Sequence, residues 1–197
     1  MTINIGKNRV PLSVSAYFMG MVALCFALGL AEEISLGLFF AALHEIGHLG
    51  AMFVFRARPQ RVCLAAAGMR IECPPGLSLS FTKEIVIAFA GPAVSLTLAG
   101  FFAVAYHVHA IPLLQDCALI NFGFALINLM PVRQLDGGRA LYYAFCRRLN
   151  ESTADGICFA VSLACLFVIA TITALICLTQ GMHWPMVVAV IYLAGNC

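Results

Sequence analysis

Long apolar runs broken by short polar stretches set the pattern of this chain. Six runs approach the roughly 20 residues that a helix needs to cross a hydrocarbon core. They lie at about 11–31, 34–55, 83–106, 111–131, 157–179 and 184–197, the last being short. Between them stand the acidic break Glu32-Glu33, a long connection at 56–82 and a polar stretch at 132–156. The pattern predicts an all-α polytopic membrane protein with about six transmembrane helices. The connection 56–82 carries a different period. Met69, Ile71 and Cys73 alternate with Arg70 and Glu72, as in a half-buried strand. Ala67-Gly68 offers a turn and Pro74-Pro75 a stop. A short β-hairpin is expected at about 61–73, on the cytoplasmic side.

Composition agrees with the pattern. The chain is 62% hydrophobic and 10% charged, with mean hydropathy +0.98. Soluble domains hold roughly 45–50% apolar and about 25% charged residues. At 197 residues a single domain could not bury so much apolar surface as a soluble protein. The net charge of +2, with no basic block, gives no sign of nucleic acid as a partner. Most of the nine cysteines lie in apolar runs and read as small buried hydrophobes. The run after Lys7 and Arg9 is too long for a typical signal-peptide core, so a retained helix is expected.

Charge also orients the runs. The eleven Lys and Arg residues all fall before the first run, in 56–83, or in 133–148. The alternate connections hold Glu32, Glu33, His107, His109 and His183 but no Lys or Arg. Basic residues favour the cytoplasmic side. Both termini are therefore expected in the cytoplasm, in a multi-pass protein of a bacterial cytoplasmic membrane.

The second run contains the chemistry. His44 and His48 are one helical turn apart, so both imidazoles can reach one ion. Glu45 can hold a water beside that ion. This is the H-E-x-x-H arrangement of two zinc-binding His and a general-base Glu. With only five His in the chain, a chance match is on the order of one in a few hundred. Ionisable groups inside a span are costly and usually functional. Catalytic zinc usually has three protein ligands and an open position. His107, His109 and His183 are expected near the outer surface. Asp136, within "INLMPVRQLDGGRAL", lies at a compatible depth, with Asp116 as the competing carboxylate nearer the outer end. Pro131 and Gly137-Gly138 interrupt regular helix there and would let the backbone fold back into the bundle.

The motifs H44-E-I-G-H48 and N128-L-M-P-V-R-Q-L-D136-G137 together resemble the site-2 protease family of intramembrane zinc metalloproteases. "FAGPAVSLTLA" at 89–99 resembles that family's Gly-Pro motif. The resemblance covers the second to fourth runs in order, and its layout is closest to the minimal, sporulation-type branch. It implies His44, His48 and Asp136 as ligands of one Zn2+ per chain and Glu45 as the catalytic base. It implies that Asn128 positions the substrate backbone and that Gly91, Pro92, Pro131 and Gly137 shape the site. Gly91-Pro92 also reads as a simple packing and kink feature. The family often carries Asn where Ser95 stands, and further prolines where Val132-Arg133-Gln134-Leu135 stands. Arg133 reads as an interfacial anchor.

The expected domain plan is one intramembrane metalloprotease domain over 1–197, without a PDZ-like or C-terminal regulatory domain. The expected activity is endopeptidase cleavage of transmembrane or membrane-associated protein segments. The substrate is a membrane protein whose helix unwinds, and a regulatory membrane partner is possible. The alternative is a non-catalytic metal-binding membrane protein or metal transporter. A transporter would offer a chain of polar groups across the outer half, and the sequence has none.

Overall fold

The computed structural model describes residues 2–5, 10–14, 31–57, 61–65, 68–72 and 79–180, with 190, 193 and 194. Four strands are β1 (Thr2–Ile5), β2 (Val10–Val14), β3 (Arg61–Ala65) and β4 (Gly68–Glu72). The helices given bounds among the described residues are α1 (Ala31–Val54), α2 (Phe81–His109), α3 (Pro112–Asn128), α4 (Asp136–Cys146) and α5 (Glu151–Gln180).

The strands form one sheet in the order β1-β2-β3-β4. The outer pairs are antiparallel and β2–β3 is parallel. A parallel pair needs a long crossover, and α1 lies within the connection that supplies it. Pro11 has no N–H to give. It faces Asn4 in β1, and the β2–β3 ladder begins only at Leu12. Among the described residues β4 is paired on one side only.

These observations correct the expected fold class. Three helices, not six, are long and apolar enough to cross a membrane among the described residues: Ser35–Val54, Phe81–His109 and Glu151–Thr179. The expected run at 111–131 becomes α3, which ends at Asn128 after 17 residues. At 1.5 Å per residue that is about 25 Å, short of a hydrocarbon core of roughly 30 Å. The expected run at 11–31 begins as strand β2, where Val10, Leu12 and Val14 follow a period of two. Its residues 15–30 lie outside the described residues, as do most of 184–197, His183, Ala67 and Pro74-Pro75. The chain is also not all-α with a lone hairpin. Arg61–Ala65 and Gly68–Glu72 pair antiparallel, but as the inner and edge strands of the four-stranded sheet.

Helix α2 is the hub, packing against α1, α3 and α4. Phe40 of α1 is fully buried, with its ring edge-on to Phe102 of α2 at 5.5 Å. Met52, Ala57 and Ile87 close the other end of the α1–α2 contact. Helix α1 stops where Arg56 takes φ 56° and the Ala57 N–H turns back to the Met52 carbonyl at 2.9 Å, a Schellman-type end. Exposed Phe53, Val104, Phe167 and Leu178 show how apolar the outward faces of the long helices are. In an integral membrane protein such faces meet lipid. Helix α4 lies in a stretch expected to be polar connection. Its apolar residues recur at helical spacing, and Ala140 and Cys146 are buried.

Candidate metal centre

His44 and His48 leave the same face of α1, and that face packs on α2. Two glycines allow the close approach. A Cβ on Gly47 would lie 2.8 Å from the Ala90 carbonyl oxygen. A Cβ on Gly91 would lie 2.2 Å from His48 Nε2 and 2.6 Å from His44 Nε2. Gly91 therefore leaves open the space the imidazoles use. Its neighbour Pro92 is fully buried within α2.

Asp136 arrives from elsewhere in the chain. It is the first residue of α4, where the helix dipole favours a carboxylate. Its Oδ2 lies 3.1 Å from His44 Nε2 and 3.2 Å from His48 Nε2, and the two Nε2 atoms are 3.2 Å apart. All three residues are buried. Among the described residues this is the group of His, Cys, Asp and Glu side chains whose geometry could hold a metal ion.

The donor set needs a positive charge at its centre. Burial pushes the Asp136 carboxyl up, and hydrogen bonds from protonated His44 and His48 would pull it well below the usual carboxylate range. A cation held between bare imidazoles would keep Asp136 ionised in the same way. His48 Nδ1 lies 2.7 Å from the Ile87 carbonyl oxygen. That oxygen only accepts, so Nδ1 carries the hydrogen and a neutral His48 presents a bare Nε2 to the carboxylate. A proton on one imidazole relieves one contact of the three. A metal cation relieves all three. Zinc bonds of about 2.0–2.2 Å in a tetrahedral site place donor atoms roughly 3.3–3.6 Å apart, close to the 3.1–3.2 Å seen. The residues fit the metal.

The other expected residues fall at varied distances from this group. Glu45 is half-buried on the next position of α1. Asn128 is the last residue of α3, and its amide donates to the Phe124 carbonyl one turn back at 2.9 Å. Pro131 lies in the loop between α3 and α4, its carbonyl 3.3 Å from Ser162 Oγ. Gly137 and Gly138 do not interrupt a helix, because both lie in the first turn of α4. Their function is steric: a Cβ on Gly137 would come 2.2 Å from the Leu129 carbonyl oxygen, and one on Gly138 2.1 Å from that of Val132. The competing Asp116 is exposed in the first turns of α3, outside the group. His107 and His109 are exposed at the far end of α2.

Two partners of the histidines were not among the expected site residues. One is the Ile87 carbonyl, which no side-chain pattern reveals. The other is Ser95, whose Oγ lies 2.9 Å from His44 Nδ1. Arg133 is more than an interfacial residue. Its guanidinium pairs with Asp155, and its N–H donates to Ser162 Oγ at 3.0 Å, tying the loop before Asp136 to α5.

Comparisons with known proteins follow the same line. A family model described as Peptidase family M50 matches residues 105–169, which include Asn128 and Asp136 but not the two histidines. Stage IV sporulation protein FB of Bacillus subtilis (strain 168) is 30% identical over 142 residues, covering 64% of this chain and 48% of that protein. The chain spans about half the length of this curated relative. The solved structure of a site-2 protease from Methanocaldococcus jannaschii superposes with a TM-score of 0.74 at 18% identity, covering 98% of this chain and 92% of that one. At that identity the likeness is one of fold. Together these findings bear out the resemblance to the site-2 protease family that the motifs carry.

Proposed function

We propose that this chain is an intramembrane zinc endopeptidase that cleaves transmembrane or membrane-associated segments of other proteins. The observation that carries the proposal is the buried triangle of His44 Nε2, His48 Nε2 and Asp136 Oδ2, with Glu45 beside it on an apolar helix. Zinc held there would supply a Lewis acid for the scissile carbonyl and make a nearby water more acidic. His44 and His48 would bind as neutral imidazoles, and Asp136 would offset one of the ion's two positive charges. Glu45 takes the proton of the attacking water and passes it to the leaving amine. Asn128 steers the substrate backbone through its amide oxygen and its second N–H, the first N–H being engaged with the Phe124 carbonyl. The substrate helix unwinds, and its extended backbone adds to the edge of β4. A regulatory membrane partner would act on that entry.

The basic end of the bundle supports a cytoplasmic site. Lys83 lies 5.8 Å over the Phe55 ring, and Phe81 stacks on Tyr143 of α4, so Arg56, Lys83 and Arg139 belong to one end. His48 is six residues from the end of α1, about 9 Å along the axis.

The test is a pair of measurements on wild type and Glu45→Gln in the full chain. Zinc content should be equal, because Glu45 is not a ligand, while cleavage of membrane-tethered substrates should vanish in the variant. Cleavage by Glu45→Gln at the wild-type rate would sink the mechanism. A metal flux in vesicles that persists in Glu45→Gln, with no cleavage by wild type, would favour transport instead.

A further inference from the structure

The register of α1 against α2 carries a consequence for metal binding. Along α2, Ile87, Gly91 and Ser95 recur at a spacing of four and share one face. All three are buried. On α1, His48 and His44 share the face that meets it. The helices match residue for residue: the Ile87 carbonyl meets His48 Nδ1, Gly91 clears space for both Nε2 atoms, and Ser95 Oγ meets His44 Nδ1. One face of α2 therefore serves both imidazoles from behind.

The two supports differ in kind. His48 donates to a backbone carbonyl, which only accepts and which no side-chain substitution removes. His44 depends on a side-chain hydroxyl, which can donate or accept. Ser95 is 0% exposed and His44 only 4%, so water is not available to replace it. Metal-binding His residues are commonly held by a hydrogen bond from the other ring nitrogen, which fixes tautomer and ring angle.

We infer that Ser95 is a positioning residue for the metal: by accepting from His44 Nδ1–H, it holds Nε2 unprotonated and aimed at the point shared with His48 and Asp136. The inference rests on the metal-binding reading of the site. Without the hydroxyl, Nδ1–H has no partner in an apolar interior. The imidazole is then freed to turn or to move its hydrogen to Nε2, and either change removes a ligand atom.

The experiment is a zinc titration of the purified full chain against a competing chelator, for wild type, Ser95→Ala and Thr97→Ala. Ser95→Ala should bind zinc ~10- to 100-fold more weakly. Thr97→Ala should match wild type, since Thr97 faces outward on α2 and bonds only back to Ala93. The visible spectrum of the cobalt(II)-loaded chain should shift in Ser95→Ala and not in Thr97→Ala. A general packing defect is separated by repeating Ser95→Ala in a His44→Ala background, where it should have no further effect on the residual affinity. Wild-type affinity and an unchanged cobalt spectrum in Ser95→Ala overturn the positioning role while leaving the metal site standing. Equal weakening with and without His44 overturns it as well. A wild-type chain that binds no zinc overturns the metal-binding reading and this inference together.

Discussion

Gly91 should be the residue on which the proposed metal centre depends most directly, although it contributes no donor atom. His48 is held from behind by Ile87 and His44 by Ser95, so neither ring can retreat without breaking a buried hydrogen bond. A methyl group at position 91 would lie 2.2 Å and 2.6 Å from the two Nε2 atoms. Gly91→Ala should therefore abolish or greatly weaken zinc binding while helix content is kept, since Ala favours helix over Gly. Metal analysis with far-UV circular dichroism checks this, and full zinc occupancy in Gly91→Ala would contradict the packing seen. The three candidate ligands, which the fold brings together, were legible in the sequence. H-E-x-x-H is a local pattern, because helix geometry alone brings His44 and His48 together. Asp136 could be chosen over Asp116 by expected depth. Ser95 could be marked only as a departure from the family's Asn, because a single serine in an apolar helix is common. Its importance comes from the register between α1 and α2, which no local pattern encodes.

The element that brings Asp136 to the histidines is the turn from α3 into α4. Its backbone folds so tightly that a Cβ on Gly137 or Gly138 would collide with the Leu129 or Val132 carbonyl. Those neighbours are backbone and cannot rotate away. Gly137→Ala should displace the start of α4, costing about 1–3 kcal/mol by overpacking, and should lower both the melting temperature and the zinc content. Arg133→Ala makes the contrast. Its ion pair with Asp155 is 44% and 43% exposed on its two sides, and such pairs contribute about 0–1 kcal/mol. The variant should melt within a few degrees of wild type and keep its zinc. If Arg133→Ala lost zinc while Gly137→Ala did not, the tether and not the tight turn would be placing Asp136. At this scale the sequence was misleading where averages replaced periods. Hydropathy over 111–131 hid the end of α3 at Asn128, and low hydropathy over 132–156 hid amphipathic α4. The run at 11–31 absorbed a strand whose alternation covers only five residues. The alternation at 69–72 was legible because Arg70 and Glu72 break an apolar context. The partners of that strand pair lie more than forty residues upstream, and only the folded sheet reveals them.

For the molecule as a whole, the decisive question is which face of the membrane supplies water to a centre set among apolar helices. Charge among the described residues supports one answer. Arg56 follows α1, Lys83 begins α2, and α4 runs from Asp136 toward Arg147 and Arg148, with Tyr143 against Phe81 on the way. These basic groups lie at the end of the bundle nearer His48. The opposite end holds exposed His107 and His109 and the turn at Ala110, where φ is 53°. Cytoplasmic loops carry the excess of Lys and Arg, so water and substrate should meet the centre from the basic end. In a background freed of native cysteines, Ala110→Cys should react with a membrane-impermeant maleimide in intact cells. Arg147→Cys should react only once the membrane is permeabilised. Both positions are exposed, so access to the reagent decides the outcome rather than burial. The reverse pattern would put the basic end outside and detach the centre from the cytoplasm. Labelling of both positions in intact cells would show that the two ends are not separated by a bilayer at all.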